Sequence, residues 1–299
     1  MKRRKWIKSF LVIAFLLCGI FATTRKSSAA ARTWQTVYTN ELEKNDFVYY
    51  VKYGELSIAR TYEKVYVKKN GTCKTKALKV PEWEYGGLLT NGRDIMYQNR
   101  KNVYLWSNAN KVKKIMSFSR KNDFLVAKYK NLVLFARYAD YDSYRIYSYN
   151  LKTKKIVKLD FYNAYSSYGK YLLINGNFHE GAPTSLEFYN IETKKITKIS
   201  SKASYANAGF IQGNTIYYSD YYDVSNQFSA LRESSDTNVF FWKVYSYNIK
   251  TKKKKKIYKP IVLLKPMWFD KNHFATNQYD SKNIDMYDLR TGKKVRYKS

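Results

Sequence analysis

One phrase recurs along this chain at a nearly fixed interval, and that period constrains the fold more than any other feature. It reads IYSYNLKTKKIVKL from Ile146 to Leu159 and EFYNIETKKITKI from Glu187 to Ile199. It returns as VYSYNIKTKKKKKI from Val244 to Ile257 and as MYDLRTGKKVRY from Met286 to Tyr297. Two weaker copies precede these, VYVKKNGTCKTKAL (Val65 to Leu78) and VYLWSNANKVKKI (Val103 to Ile115). An Asn or Asp opens each turn, at Asn70, Asn108, Asn150, Asn190, Asn248 and Asp288, with spacings of 38, 42, 40, 58 and 40. The sequence is therefore six copies of a unit near 40 residues, one of them carrying about 18 extra.

Alternation in Ile146-Tyr147-Ser148-Tyr149 predicts a strand. The Asn that follows opens a polar turn, because its side chain bonds nearby backbone and tolerates left-handed geometry. Lys155-Ile156-Val157-Lys158-Leu159 predicts a second strand, so the phrase is a β-hairpin. A second signal runs in step with it. Short turns at Asn91-Gly92-Arg93, Lys130-Asn131, Gly169-Lys170, Gly213-Asn214 and Lys271-Asn272 each separate two further strands. Every unit thus holds two apolar strands followed by two amphipathic ones, the last rich in Lys. Four strands per 40 residues is the blade of a β-propeller, with inner strands buried and outer strands wet. The 31 Tyr residues favour strands as well. The expected fold is all-β: a six-bladed propeller of four-stranded antiparallel blades over residues 32–299. Thr33–Asn40 (TWQTVYTN) is a spare strand, assigned either to closing the ring or to a partial seventh blade.

The Y-x-Y-N/D-[LI]-x-T-[KG]-K hairpin resembles the repeats of bacterial exported propellers of the TolB-like or quinoprotein-like kind, over roughly Asp46 to Ser299. The resemblance implies an architecture and is nearly silent on function.

The first 31 residues read as an address. A basic start, MKRRKWIK, precedes the apolar run Ser9–Thr24, and Ala29-Ala30-Ala31 supplies small residues suited to a signal peptidase. The apolar run is short for a membrane span. Residues 1–31 are expected to be a cleaved signal peptide, with an uncleaved membrane anchor as the alternative. Cys18 follows Leu16-Leu17, which does not fit a lipobox. Removing residues 1–31 takes away Lys2, Arg3, Arg4, Lys5, Lys8, Arg25 and Lys26 and no acid, so the net charge of +32 falls to +25. Cys73 is then the one cysteine, and a disulfide framework is excluded. The expected location is the cell surface or its surroundings, and the expected state is a monomer.

No nucleophile elbow, zinc-binding helix, phosphate loop or dinucleotide glycine motif occurs. No cofactor and no metal site are expected, and the chain reads as a binding protein rather than an enzyme. Asp46, Asp94, Asp123 and Asp270 are the acids near inner strands that a propeller glycosidase could pair. A hydrolase or lyase acting on polysaccharide is the alternative function.

By analogy with other propellers, the loops between second and third strands share one face with the links between blades, and ligands bind there. That face collects Trp83, Tyr85, Tyr138, Asp140, Tyr141, Asp142, His179, Glu180 and Trp268 as candidate ligand-binding residues. It also collects an insertion at 219–238, with Tyr221, Tyr222 and Asp223, which is locally acidic in a strongly basic chain. Aromatic rings stack on sugars and anchor protein partners, so the expected ligand there is a glycan or a surface protein. The Lys-rich hairpins fall on the other face and the rim. Lys252, Lys253, Lys254, Lys255 and Lys256 form the densest run, expected to hold a cell-envelope polyanion through the positive field of the whole domain. The export signal ranks nucleic acid below envelope polymers as that partner, and a membrane is expected as partner only through an uncleaved N-terminal segment.

Overall fold

The computed structural model describes residues 32–37, 50–60, 64–72, 75–79, 87–107, 111–140, 143–175, 185–200, 207–223, 240–257, 267–268, 271–275 and 283–298. Every described strand pairs antiparallel with its neighbours. The N-terminal strand is β1 (Gln35–Thr36). A first meander follows, made of β2 (Val51–Tyr53), β3 (Leu56–Arg60), β4 (Lys64–Lys69) and β5 (Thr75–Lys79). The second is β6 (Leu88–Thr90), β7 (Ile95–Asn99), β8 (Asn102–Trp106) and β9 (Val112–Ser117). The third begins with β10 (Phe124–Tyr129), β11 (Leu132–Asp140) and β12 (Ser143–Asn150), and its outer strand is the first part of β13 (Ile156–Tyr168). The rest of β13 opens the fourth meander, continued by β14 (Tyr171–Asn175), β15 (Leu186–Asn190) and β16 (Lys195–Lys198). A fifth holds β17 (Asn207–Gln212), β18 (Thr215–Asp223), β19 (Phe240–Asn248) and β20 (Lys254–Lys256). The last holds β21 (Met267–Trp268), β22 (His273–Ala275), β23 (Asn283–Asp288) and β24 (Lys294–Lys298).

The burial gradient follows the residue types. Inner strands are apolar and sealed, as in β6 and β7, where Leu89, Ile95 and Met96 are all but inaccessible. Each such side chain contributes about 1.5–3 kcal/mol of apolar transfer. Outer strands such as β16 and β20 are open to water and carry Lys. Charged outer edges also resist pairing with another chain.

Apolar clusters lie in the seams between meanders. Val51, Ile58 and Val67 pack with Ile95 and Trp106 across the first seam. Met96 and Val103 meet Leu125 and Phe135 across the second, where the buried Gln98 side chain donates to the Asp123 carbonyl and accepts from the Leu125 amide, both at 2.8 Å. Leu134 and Ile146 meet Leu172 and Tyr189 across the third. Leu173 and Leu186 meet Ile216 and Tyr218 across the fourth, and Phe210 and Val244 meet Phe274 and Leu289 across the fifth. Lys271, in the turn before β22, donates to the Lys52 carbonyl and lies 4.3 Å over the Tyr53 ring, so the last meander touches the first. These strands and clusters all belong to the compact unit Thr33–Ser299, which carries its own core.

Three expectations are corrected. The spare strand neither closes the ring beside the last meander nor starts a further one. Gln35 and Thr36 pair with Thr90 and Leu89 of β6, and Gln35 also faces Tyr168 of β13. Polar groups hold it there: the Thr36 hydroxyl accepts from the Ser167 amide at 2.8 Å, and the Gly169 amide donates to the Trp34 carbonyl at 2.8 Å. The outer strand of the third meander and the inner strand of the fourth, read as separate, are one strand, β13. It passes from one meander to the next at Asn163, which has a φ of 45° and whose side chain accepts from the Tyr144 amide at 2.9 Å. The inserted segment starts later than expected, because Ser219–Asp223 belong to β18 and pair with Phe240–Val244 of β19. Aromatic residues on both arms favour extending that ladder.

Candidate anion-binding face

The hairpin phrase folds the same way in each well-formed copy. Asn150 accepts from the amides of Lys152 and Thr153 at 2.9 and 3.2 Å. Asn190 and Asn248 do the same two and three residues on, and so does the Asp288 carboxylate. The residue after each opener donates to a turn between first and second strands: Leu151 to Asn131, Ile191 to Lys170, Ile249 to Asn214 and Leu289 to Asn272, at 2.7–2.8 Å. These bonds bring two sets of turns, first-to-second and third-to-fourth, onto one face, called here the turn face.

Four residues beyond the opener, the chain must pass through the left-handed region. Gly292 does so with a φ of 70°, as a residue without a Cβ readily can. The equivalent positions are Lys154, Lys194 and Lys252, with φ of 61°, 58° and 56°. Lysine pays for that backbone state, and all three side chains are exposed.

The turn face carries further cations on its other turns. Lys130 lies 5.0 Å from the Tyr129 ring centre and Lys170 5.8 Å from that of Tyr171. Glu192 bridges these two lysines at 3.0 and 2.9 Å and accepts from the Tyr129 hydroxyl at 3.0 Å. The bonds from Lys170, Lys130 and Tyr129 pull its carboxyl down to about 2, and the same carboxylate raises both lysines. Next to this group, Lys128 donates to the Lys130 carbonyl, and burial lowers its ammonium below the ordinary lysine range.

Lys252 and Lys253 lie in a hairpin turn, and Lys254, Lys255 and Lys256 form β20, all exposed. Lys254 sits 3.8 Å over the Tyr245 ring and 5.2 Å over that of Tyr218. The predicted polyanion run is therefore divided between the turn face and the rim.

Residues expected on the opposite face are partly placed. Tyr138 is a strand residue on β11, 47% exposed, edge-on to its cross-strand partner Tyr144 at 5.8 Å. Asp140 ends β11 opposite Ser143. Tyr221, Tyr222 and Asp223 stand on β18 opposite Trp242, Phe241 and Phe240, and Trp268 stands on β21 opposite Phe274. Trp83, Tyr85, Tyr141, Asp142, His179 and Glu180 lie outside the described residues. Of the acids weighed for glycoside cleavage, Asp46 and Asp270 also lie outside them. Asp94 accepts from the Asn91 amide group at 3.1 Å. Asp123 is buried and held by Arg137 through two bonds of 2.7 Å, with Arg137 reaching Ser119 as well.

Two features of the face escaped sequence reasoning. The left-handed lysines were signalled by the T-[KG]-K alternation, since Gly replacing Lys in one copy marks a φ that favours Gly. Glu192 stands where the other copies have Lys152, Lys250 and Arg290, and that reversal of charge marked it as a partner for neighbouring lysines.

No family model matches the chain, and no curated protein matches it. Solved structures do. An oligogalacturonate lyase from Vibrio parahaemolyticus superposes with a TM-score of 0.51 at 9% identity, over 88% of this chain and 84% of that one. TolB from Acinetobacter baumannii gives 0.48 at 13% identity over 90% of this chain. This chain spans 64% of that TolB chain. Dipeptidyl peptidase 4 from Porphyromonas gingivalis gives 0.38 at 10% identity, over 84% and 50% of the two chains. At such identities the likeness is one of fold: an all-β antiparallel chain similar over most of its length to TolB-like and other β-propeller proteins.

Proposed function

We propose that this chain is an exported, non-enzymatic six-bladed β-propeller that holds an anionic component of the bacterial cell envelope at the cell surface. The seam contacts that run from the first meander to the last, and from Lys271 back to Tyr53, support a closed ring of six blades. The observation that carries the binding reading is the placement of Lys at left-handed positions 154, 194 and 252, where backbone energetics favour Gly. Strain accepted for a charge, on a domain already at +25, points to a use for that charge. An acidic polymer or surface meets it through attraction that salt screens. The opposite face, with Tyr138 and the β18–β19 hairpin, is assigned to a glycan or a protein ligand.

The test is binding of residues 32–299 to cell-wall sacculi with and without their teichoic acid, at low and high salt, with the polymer checked for chain cleavage. Binding that needs the polyanion and weakens steeply with salt is expected. Salt-insensitive binding, or binding neither to sacculi nor to anionic phospholipid vesicles, overturns the reading, and polymer cleavage replaces it with the lyase or hydrolase alternative.

A further inference from the structure

The position of β1 fixes where the chain enters the domain. β1 runs antiparallel to β6 and to the end of β13, so its start lies level with the turns that follow those strands. Trp34 accepts from Gly169 in one such turn, and the Thr33 methyl lies 3.0 Å from where a Cβ on Gly169 would sit. The chain therefore enters through the turn face and runs inward among the first strands of the blades. The same turns carry Lys130 and Lys170, and the hairpins bonded to them carry Lys154, Lys194 and Lys252. Thr33, the first residue of the compact unit, therefore lies on the lysine-bearing side.

We propose that the turn face is laid against an anionic phospholipid bilayer, with Lys154, Lys194 and Lys252 as contact residues. This rests on the polyanion-binding reading above and names its partner. The geometry suits a surface better than a pocket. The three lysines come from three separate hairpins at equivalent positions, each in an exposed turn, and so present charges to a broad plane. The exposed lysines of the outer strands lie on the edges of the sheets instead and have a separate use in protecting those edges.

The experiment is co-sedimentation of residues 32–299 with vesicles of phosphatidylglycerol and phosphatidylcholine in equal parts, against pure phosphatidylcholine. Two triple variants accompany the wild type. One is Lys154→Gln, Lys194→Gln, Lys252→Gln on the turn face. The other is Lys114→Gln, Lys158→Gln, Lys198→Gln on the outer strands. Each keeps an L-residue of similar reach, and the melting temperature reports whether each folds. The expected result is binding to anionic vesicles alone, weakened on the order of a hundredfold in the turn-face variant and far less in the outer-strand variant. Equal weakening by the two variants overturns the assignment of the face. Binding to sacculi without binding to vesicles overturns the bilayer as partner while leaving the polyanion reading intact. Binding to neither overturns both.

Discussion

Replacing Lys154, Lys194 and Lys252 together by Gly should make this protein more stable, although it removes three side chains. Each position is left-handed, with φ between 56° and 61°, and a residue with a Cβ pays about 1–2 kcal/mol there. Glycine escapes that cost but gives back about 0.5–1 kcal/mol, because its unfolded chain has more freedom to lose. The net gain is about 0.5–1 kcal/mol per site. The sites lie in three different hairpins, so the effects should add to about 2 kcal/mol. For a domain of this size that is a rise of about 4–8 °C in melting temperature. Removing three positive charges from a basic domain also relieves self-repulsion. The matching Gln triple isolates that contribution, since it keeps the backbone strain and loses the charge. The assay is thermal unfolding followed by circular dichroism on wild type, Gly triple and Gln triple in one buffer. A Gly triple that melts no higher than the Gln triple would refute the idea that strain is stored at these lysines. The case for their selection as charges would fall with it.

Other changes test other parts of the structure. Arg137→Leu leaves the buried Asp123 carboxylate without its two bonds from Arg137, keeping only the longer one from the Arg120 amide among those described, and should cost about 3–5 kcal/mol in urea unfolding, whereas a loss below about 1 kcal/mol would mean that water reaches Asp123. Gly87→Ala would place a Cβ 1.9 Å from the Leu125 carbonyl oxygen, so it should lower the melting temperature sharply by forcing β6 and β10 apart. Thr36→Val removes the acceptor for the Ser167 amide and should cost about 1–3 kcal/mol, with faster amide exchange at Ser167. Glu192 should titrate at about 2 by carboxyl NMR, and Lys170→Ala should move it up towards 4.5. Because its folded value lies below its ordinary one, the stability it contributes is present above about 4.5 and is lost as pH falls towards 2.

The hairpins were legible because their determinants are local. An Asn opener, a Thr and a left-handed position sit within five residues, and the bonds of Asn150, Asn190 and Asn248 use nothing farther away. The inner strands were legible by apolar content, as Leu172, Leu173 and Ile174 illustrate. The seat of β1 was not, since Thr36 meets Ser167 across 131 positions and neither residue carries a sign of the other. The join within β13 was hidden for a related reason: the Asn163 side chain is held by the amide of Tyr144, 19 residues away, and neither residue carries a sign of the other. Asp123 looked like a candidate acid because sequence gives no hint of Arg137 folding back over 14 residues to hold it. The turn face was visible as a surplus of Lys, but its separation from the outer strands needed the bonds between the two sets of turns.

The most direct test is the dependence of envelope binding on salt, measured as the association constant of residues 32–299 for phosphatidylglycerol vesicles from 50 to 500 mM salt. The account predicts a steep linear fall of log K against log salt, with a slope shallower by about one for each of Lys154, Lys194 and Lys252 changed to Gln. A flat line, or a slope unchanged in the triple variant, would contradict it.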